Sequence, residues 1–553
     1  MPSGSKYFWA AILLLLPVLI AGQDHGLWAR SEAREVEIAR EMYVSGNWAV
    51  PKLNDKAFLE KPPLMPAVTA LAFYLGGGVS ERLARVPSTL LALLAAVGVM
   101  LIARRMGGNR LGWWSGLILC SAQIFFLYSH QSSVDILLAV CVTFTMLFFF
   151  RAYEPGKPSY SFRSVLPIYL CATLAFYAKG FIGVVFPTLA IVFFLIWMRD
   201  WRAMWRLKPW FGLLIFLALT APWFGELWRQ GQEKYLKIFF IDNHLYRFFK
   251  TAESHLGHQH DPWYWYLVHI WNHFSPWSIL GPFAAVGLVR KLRAHDPSAI
   301  EIKKLMSWFG AGFLFLTISS TKRDVYLLPI LPPFAIMVAM WIDQRIRSYG
   351  GPKWEQLSDW GLGLALALAA LGYPIWLTLQ ESGSRYALGF IPAILLPAAA
   401  GLYFLVKKNH PRFYSLAWFG IWALFLCSSI FFIPVFSAGE DHSPFARQLN
   451  ELTRDARIFY SPRVREKECG YIGFYTGKYT RNLKKEKDLA ALARSVEPIY
   501  VVMMNSDPEE VRQFEEETAK HGVALKLMLE APGEYGGALW RMTPIPAAGG
   551  ETP

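Results

Sequence analysis

Long apolar runs separated by short polar segments dominate the chain. A helix needs roughly 20 apolar residues to cross a bilayer core of about 30 Å, and these runs approach that length. Their number excludes an ordinary soluble helical protein. The pattern predicts about thirteen membrane-spanning helices, namely 7–22, 84–104, 111–128, 134–152, 164–178, 181–198, 209–228, 265–289, 304–319, 326–342, 359–379, 386–406 and 414–435.

The first two runs are separated by a long polar loop, 23–83, which contains an amphipathic pattern at 31–46. Apolar side chains share one face there at helical spacing, and charges fill the other. The apolar positions are Val36, Ala39, Met42 and Tyr43. We expect a helix that lies along the membrane surface and ends at Gly46. Ser31 is suited to the N-cap, or it stands in place of a chemical group.

The C-terminal region 436–553 is less apolar than the rest. Strand-like runs at 456–461 and 498–504 and helical stretches at about 485–495 and 508–521 predict a small α/β domain. The fold class is therefore an all-α polytopic membrane protein, residues 1–435 including the loop 23–83, followed by this soluble domain. No nucleotide-binding or serine-nucleophile motif occurs in the C-terminal region, so we assign it no chemistry.

Composition supports a membrane protein, because 54% of the 553 residues are hydrophobic and 16% are aromatic. The net charge of +14 would suggest nucleic acid as the partner of a soluble protein. Here the basic residues gather in alternate short loops, as in Arg104–Arg105 and Lys407–Lys408, and the positive-inside rule makes those loops cytoplasmic. The N-terminus is then inside and the C-terminal domain outside. Cys469 is the only cysteine of that domain, so we expect no disulfide within it.

Charged side chains at the outer ends of the predicted spans are the candidates for chemistry, because charges at this depth face a cavity or a partner. Lys61 follows Glu60 and precedes two prolines that stiffen the chain. Its ammonium could bind a phosphate, or it could pair with its neighbour Glu60 at the lipid boundary. Asp135 is either catalytic or a helix N-terminal residue. Lys179 is either a phosphate contact or an ion-pair partner.

Two further outer loops carry candidates. Arg247 is suited to phosphate, because a guanidinium group matches phosphate oxygens. The cluster His255, His258, His260 and Asp261 could bind a metal, although loop histidines are more often solvated. Lys322 lies at the start of a span, and Tyr326 lies one turn further along, so both could face the same cavity.

Taken together in this order, several segments resemble bacterial lipid A 4-amino-4-deoxy-L-arabinose transferases and the wider protein O-mannosyltransferase-like superfamily. The segments are SEAREVEIAREM (31–42), SGNWAVPKL (45–53), FLEKPP (58–63), Asp135, Lys179-Gly180, PWYWY (262–266) and KRDVYLLP (322–329). The resemblance covers about residues 20–345.

The resemblance implies the GT-C glycosyltransferase fold and transfer of a sugar from a polyprenyl-phosphate donor, outside the inner membrane of a bacterium. The implied acceptor is a phosphate of lipid A. Alternatives are transfer to protein hydroxyls or a cell-surface glycan, and a degenerate relative that binds or transports lipid-linked sugars. Membrane lipids are further partners, and nucleic acid is not. No cofactor is required, and a structural divalent metal such as zinc is a candidate.

The resemblance also implies roles for single residues. Glu32 and Asp135 would be catalytic. The substrate-binding set would be Ser31, Arg34, Lys61, Lys179, Arg247, Lys322 and Tyr326. The metal set would be Glu60, His255 and His258.

This sequence departs from the family at one position. The family places Asp-Glu at the start of the first-loop helix, whereas this chain has Ser31-Glu32. The carboxylate expected to act as a base or to stabilise a cation is lost. Glu32 or Asp135 must replace it, unless an anionic acceptor makes a base unnecessary.

Overall fold

The structure, a computed structural model, describes residues 3–27, 31–246, 261–319, 322–348, 352–379, 391–433, 441 and most of 443–545, with gaps at 455, 457, 463, 484–491, 493, 495–497, 505–507 and 532–536. The described helices are α1 (Ser3–Ile20), α2 (Glu32–Ser45), α3 (Leu64–Gly76), α4 (Glu81–Gly107), α5 (Asn109–Cys120), α6 (Gln123–Ser129), α7 (Val134–Ala152), α8 (Phe162–Lys179), α9 (Phe181–Trp197), α10 (Trp201–Arg206), α11 (Pro209–Lys237), α12 (Trp265–His273), α13 (Gly281–Arg293), α14 (Ala299–Ile318), α15 (Leu331–Arg347), α16 (Lys353–Thr378), α17 (Ile391–Val406), α18 (His410–Cys427), α19 (Ser443–Leu452), α20 (Glu466–Thr476) and α21 (Pro508–Lys520).

Shorter elements complete the described structure. Two 3₁₀ turns cover Trp277–Leu280 and Asp324–Ile330, and π-helical segments cover Ile238–Tyr246 and Ser428–Phe432. The strands are β1 (Lys52–Leu53), β2 (Lys56–Ala57), β3 (Ile458–Ser461), β4 (Tyr479–Asn482), β5 (Tyr500–Met504), β6 (Val523–Ala531) and β7 (Gly537–Pro544).

The helical membrane fold predicted from the apolar runs is confirmed. Within the described residues, five helical segments are long and apolar enough to cross a membrane, or six if the bent pair α5–α6 forms one span. The five are Glu81–Gly107, Val134–Ala152, Trp201–Asn243, Asp324–Arg347 and His410–Phe431. The chain is a membrane protein, and the count of thirteen spans stays a prediction.

Two predicted spans, 111–128 and 265–289, are broken in the structure. The first bends by 68° between α5 and α6, and the second is divided between α12, a 3₁₀ turn and α13. The two broken segments form hydrogen bonds with each other. The Gln123 N–H donates to the Ser275 carbonyl at 3.0 Å, and the Trp277 indole N–H donates to Ser121 Oγ at 3.0 Å. Backbone groups freed inside an apolar region need such partners.

The chain divides into two compact units. The first comprises residues 1–23, 59–68 and 85–434, and the second comprises 24–58, 69–84 and 435–553. We predicted that the whole loop 23–83 belongs with the membrane domain. In the structure most of this loop groups instead with the C-terminal residues, because α2 packs into the core of the second unit.

The second unit contains a mixed five-stranded sheet in the order β4-β3-β5-β7-β6. β3 pairs in parallel with β4 and β5, and β7 pairs antiparallel with β5 and β6. The predicted strands at 456–461 and 498–504 and the helix at 508–521 are confirmed as β3, β5 and α21. The stretch 485–495 lies almost entirely outside the described residues. Strands β4, β6 and β7 and helices α19 and α20 were not predicted.

The predicted helix of the first loop is confirmed as α2. It ends at Gly46, whose φ of 68° is left-handed and whose N–H donates to the Met42 carbonyl. Ser31 occupies the N-cap position, but its side chain makes no capping hydrogen bond. The predicted capping bond is therefore wrong. A capping side chain requires an extended backbone, and Ser31 is already helical at φ −101° and ψ −20°.

The charged face of α2 is buried, and the predicted position of this helix along the membrane surface stays a prediction. Its buried carboxylates are Glu32, Glu35, Glu37 and Glu41. The cause is α20, which lies close against α2. A Cβ at Gly470 would stand 2.7 Å from the backbone nitrogen of Arg34, and one at Gly473 would stand 2.2 Å from Glu37 Oε1. Glycine at these two positions permits the close approach.

Hydrogen bonds satisfy two of these buried acids, Glu37 and Glu41. Arg40 donates two bonds to Glu37, at 2.6 and 2.8 Å, and Glu41 accepts the N–H groups of Asn54 and Asp55. Burial nevertheless raises the pKa of Glu37 from 4.5 to about 8, although Arg40 opposes the shift. The folded second unit therefore holds a proton on Glu37 at pH values where an unfolded chain releases it.

We expect the second unit to lose stability as the pH rises from about 5 to about 8. In this range the folded state binds up to one more proton at Glu37 than the unfolded state, so the free energy of unfolding falls by about 1 kcal/mol per pH unit. Thermal unfolding of the purified full chain across this range measures the effect. Glu37→Gln should flatten the pH dependence, and Glu516→Gln, at an exposed acid, should not. A wild-type stability that rises with pH over this range would contradict a raised pKa for Glu37.

Candidate functional site

Asp135 is held at the start of α7 by its backbone. Ser133 is extended, and its Oγ accepts the Asp135 N–H at 3.3 Å. The Ser133 N–H donates in turn to Ser88 Oγ at 3.1 Å, which fixes the start of α7 against α4. The carboxylate is therefore placed by two helices of the first unit, and its side chain is 12% exposed.

Lys179 is the last residue of α8, at a tight turn into α9. Gly180 makes the turn at φ 70° and ψ −152°, a region that favours glycine. A Cβ at Gly183 would stand 2.0 Å from the Ala175 carbonyl oxygen, so the two helices are in close contact. This rigid hairpin brings the Lys179 ammonium into an ion pair with Asp135, and both side chains are 12% exposed.

Tyr326 covers the ammonium from another side. It lies in the 3₁₀ turn Asp324–Ile330, and Lys179 Nζ stands 4.1 Å from the centroid of its ring. A cation at this distance is attracted to the ring face. Asp135, Lys179 and Tyr326, called here the acid–lysine–tyrosine cluster, therefore join three segments at one end of the helices.

Lys322 is bound to the end of a neighbouring helix. Its Nζ donates to the carbonyls of Thr317 and Ser319, at 3.0 and 2.6 Å, where a helix C-terminus attracts a cation. It also lies 5.6 Å from the Tyr266 ring. Burial lowers the pKa of Lys322, and Asp261 acts in the opposite direction. These contacts give Lys322 a structural role in the conformation described.

The segment of Glu60 and Lys61 lies beside the π-helical segment Ile238–Tyr246. The Leu59 carbonyl accepts the Asn243 side-chain amide at 3.1 Å. Glu60 and Lys61 are half-buried. Arg247 lies outside the described residues, so its predicted contact with phosphate stays a prediction.

An apolar cavity of about 470 Å³ lies among α7, α8, α9 and α11. Its walls include Phe149, Tyr169, Phe181 and Phe216. Phe181 follows the Lys179-Gly180 turn directly in the chain. The first unit thus combines a charged cluster with a space suited to hydrocarbon.

Comparison with known proteins identifies the architecture. The family model for dolichyl-phosphate-mannose-protein mannosyltransferase matches residues 60–225. An undecaprenyl phosphate-alpha-4-amino-4-deoxy-L-arabinose arabinosyl transferase of Shewanella sediminis is 29% identical over 60% of this chain, which spans 58% of that relative's length. A relative of the same name from Edwardsiella ictaluri is 26% identical over 77% of this chain and 72% of its own length.

A solved structure covers almost the whole chain. ArnT from Cupriavidus metallidurans, bound to undecaprenyl phosphate, matches 97% of this chain and 98% of its own with a TM-score of 0.77 and 21% identity. The chain has the ArnT-like GT-C fold. The resemblance inferred from the sequence motifs is confirmed, as is the predicted fold class.

Within this ArnT-like fold, the predicted site residues fall into different units. The acid–lysine–tyrosine cluster, Lys322 and Lys61 belong to the first unit, whereas Ser31, Glu32 and Arg34 belong to the second. Arg34 pairs with Glu35 at 3.1 Å and with Glu466 at 2.8 Å. Glu32 is fully buried. Their predicted roles toward substrate stay predictions.

The predicted metal site lies largely outside the described residues. His255, His258 and His260 fall in the segment 247–260, whereas Glu60 and Asp261 are described. Within the part of the chain that the structure describes, no group of three or more His, Cys, Asp or Glu residues could hold a metal ion. The structural zinc therefore stays a prediction.

Sequence reasoning missed Tyr266. Its hydroxyl donates to the Arg323 carbonyl at 3.3 Å and accepts the Arg323 N–H at 3.2 Å, so it fixes the approach to the turn that carries Tyr326. The segment PWYWY served in the sequence analysis only as part of the family resemblance. Trp263 and Tyr264 are exposed, but Tyr266 is fully buried. Burial was not visible in the sequence.

Proposed function

We propose that the chain is a glycosyltransferase that moves a sugar from a polyprenyl-phosphate donor to a phosphate of lipid A, at the outer face of the bacterial inner membrane. The acid–lysine–tyrosine cluster at the ends of apolar helices in an ArnT-like fold carries the proposal. The N-terminus would lie inside and the second unit outside, as the basic loops predict. The matched relatives support this function by name, since they are arabinosyl transferases of an undecaprenyl phosphate-linked sugar.

Chemistry supports this assignment because a lipid phosphate is already a good leaving group. Its departure needs cations on the phosphate oxygens and a negative group near the positive anomeric carbon. Lys179 supplies a cation, and Asp135 supplies a carboxylate beside it. Lys61 and Arg247, by resemblance, are the further phosphate ligands. The apolar cavity beside α8 and α9 suits the hydrocarbon part of a lipid donor.

The acceptor decides whether a base is needed. A hydroxyl must lose a proton as it attacks, and a positioned base accelerates that step by about 10²–10⁴-fold. An acceptor phosphate is already anionic. The loss of the family Asp at Ser31 is therefore better tolerated with a phosphate acceptor than with a protein hydroxyl.

Identification of the labelled product tests this function. Membranes containing the protein are incubated with a labelled undecaprenyl-phosphate sugar, and label should appear in lipid A. Label on protein would favour the second candidate, mannosyl-type transfer to protein hydroxyls. The family-model match over residues 60–225 gives that candidate specific support. Lipid binding without turnover, restored by Ser31→Asp, would instead indicate a degenerate relative.

Lys61→Ala should weaken use of the donor. We expect the KM for the polyprenyl-phosphate sugar to rise about tenfold or more, because one charge-assisted contact to phosphate is lost. Lys61→Arg should retain most of the affinity. Lys56→Ala removes an exposed lysine of the same loop and should leave the KM unchanged. Equal values for Lys61→Ala and Lys56→Ala would remove Lys61 from the phosphate site.

A further inference from the structure

The ion pair between Asp135 and Lys179 presents a problem for the proposed reaction. The carboxylate that should stabilise the anomeric carbon is already bound to the ammonium that should stabilise the leaving phosphate. Neither group is fully available while the two are paired. The geometry of the pair indicates how both become available.

The pair retains capacity for a ligand. Among the described residues, the contacts of the Lys179 ammonium are Asp135 and the Tyr326 ring. An ammonium group has three donors, and Asp135 accepts from one of them, so at least one remains for another acceptor even with the Tyr326 ring beside it. Lys179 contacts only Oδ1 of Asp135, and within the described chain Oδ2 has no hydrogen-bond partner. Both side chains are partly exposed, so a ligand can reach them.

Hydrogen bonds fix the backbone on both sides of the ion pair. Asp135 is held by Ser133 and Ser88, and the turn at Gly180 is closed against α8. Lys179 carries a long, flexible stem. Any exchange of partners must therefore occur by movement of the Lys179 ammonium, with Tyr326 supporting it from the side.

We propose that the donor phosphate replaces Asp135 as the ion-pair partner of Lys179. This exchange frees the Asp135 carboxylate for the reaction. This inference rests on the proposed function. A donor phosphodiester carries one negative charge, whereas the monoester product carries about −1.5 to −2 at neutral pH. The attraction for Lys179 therefore grows as the bond breaks, so the exchange favours the transition state over the bound donor.

The atoms and charges of this step balance. The bond between the anomeric carbon and the phosphate oxygen breaks, and its electron pair goes to the phosphate, where Lys179 stabilises it. The acceptor oxygen forms the new bond to the anomeric carbon. A hydroxyl acceptor gives its proton to the released Asp135 carboxylate, and an anionic phosphate acceptor has no proton to give.

Binding measurements on the purified full chain test the proposal. The probe is undecaprenyl phosphate in detergent micelles, titrated by calorimetry, with undecaprenol as the control lipid without phosphate. Asp135→Asn removes the competitor for Lys179, so the probe should bind about tenfold tighter although turnover falls. Lys179→Met should bind more weakly than wild type. A merely structural pair would not make Asp135→Asn bind tighter, so unchanged or weaker binding overturns the proposal.

A double variant covers the case in which Asp135→Asn does not fold. Asp135→Asn/Lys179→Met buries no unpaired charge, and it is compared with Lys179→Met. Once Lys179 is absent, removing Asp135 should not change the affinity for the probe. A tenfold tightening in the double variant would overturn the proposal. Failure of the wild type to bind the probe at all would instead refute the proposed function.

Discussion

Asp135→Asn is expected to lower the rate of sugar transfer to a hydroxyl acceptor by about 10²–10⁴-fold, the range for loss of a positioned base. With an acceptor phosphate the loss should be smaller, because no proton is removed. In both cases kcat should fall. The affinity for the lipid phosphate should not fall, because Asp135 contacts Lys179 and is the competitor of the phosphate. Steady-state kinetics with each acceptor measures the difference.

Glu32→Gln is the matched control, because it makes the same carboxylate-to-amide change at the other acid implied by the resemblance. Glu32 is fully buried on α2 in the second unit. We expect it to support the stability of that unit more than the reaction. A large loss of kcat in Glu32→Gln, with full activity in Asp135→Asn, would transfer the catalytic role to Glu32.

Arg345→Met should destabilise the membrane unit by about 3–5 kcal/mol, the usual cost of removing one partner of a buried ion pair. Arg345 is fully buried and donates to Glu355 at 2.8 Å and to Asp359 at 2.7 Å. Tyr414 also donates to Asp359, so the network joins α15, α16 and α18. Without the guanidinium group, two buried carboxylates lose their counter-charge.

Arg347→Met provides the control for this prediction. Arg347 lies two residues further along the same helix, pairs with Asp343, and has a side chain that is 61% exposed. Exposed pairs contribute about 0–1 kcal/mol. Thermal unfolding in detergent should therefore show a large loss of melting temperature for Arg345→Met and little change for Arg347→Met. Similar values for the two variants would contradict a stabilising role for the buried network.

The sequence predicted the parts of the protein that depend on local pattern. Apolar runs indicated the membrane helices, the strand-like runs at 456–461 and 498–504 indicated β3 and β5, and Gly46 indicated the end of α2. Hydrophobic periodicity and glycine conformation act over a few residues, so one chain is enough to reveal them. Charged residues in an apolar setting also pointed to Asp135 and Lys179 individually, because such charges need a partner.

Only the tertiary structure decided which residues become partners. Asp135 and Lys179 are 44 positions apart, and the sequence left open whether Lys179 contacts a phosphate or an acid. The burial of α2 likewise depends on α20, more than 400 positions away in the chain. Helix periodicity shows which side chains share a face, but not what covers that face. Packing between segments that are distant in the chain buried Glu37. Packing of the same kind brought Asp135 and Lys179 together.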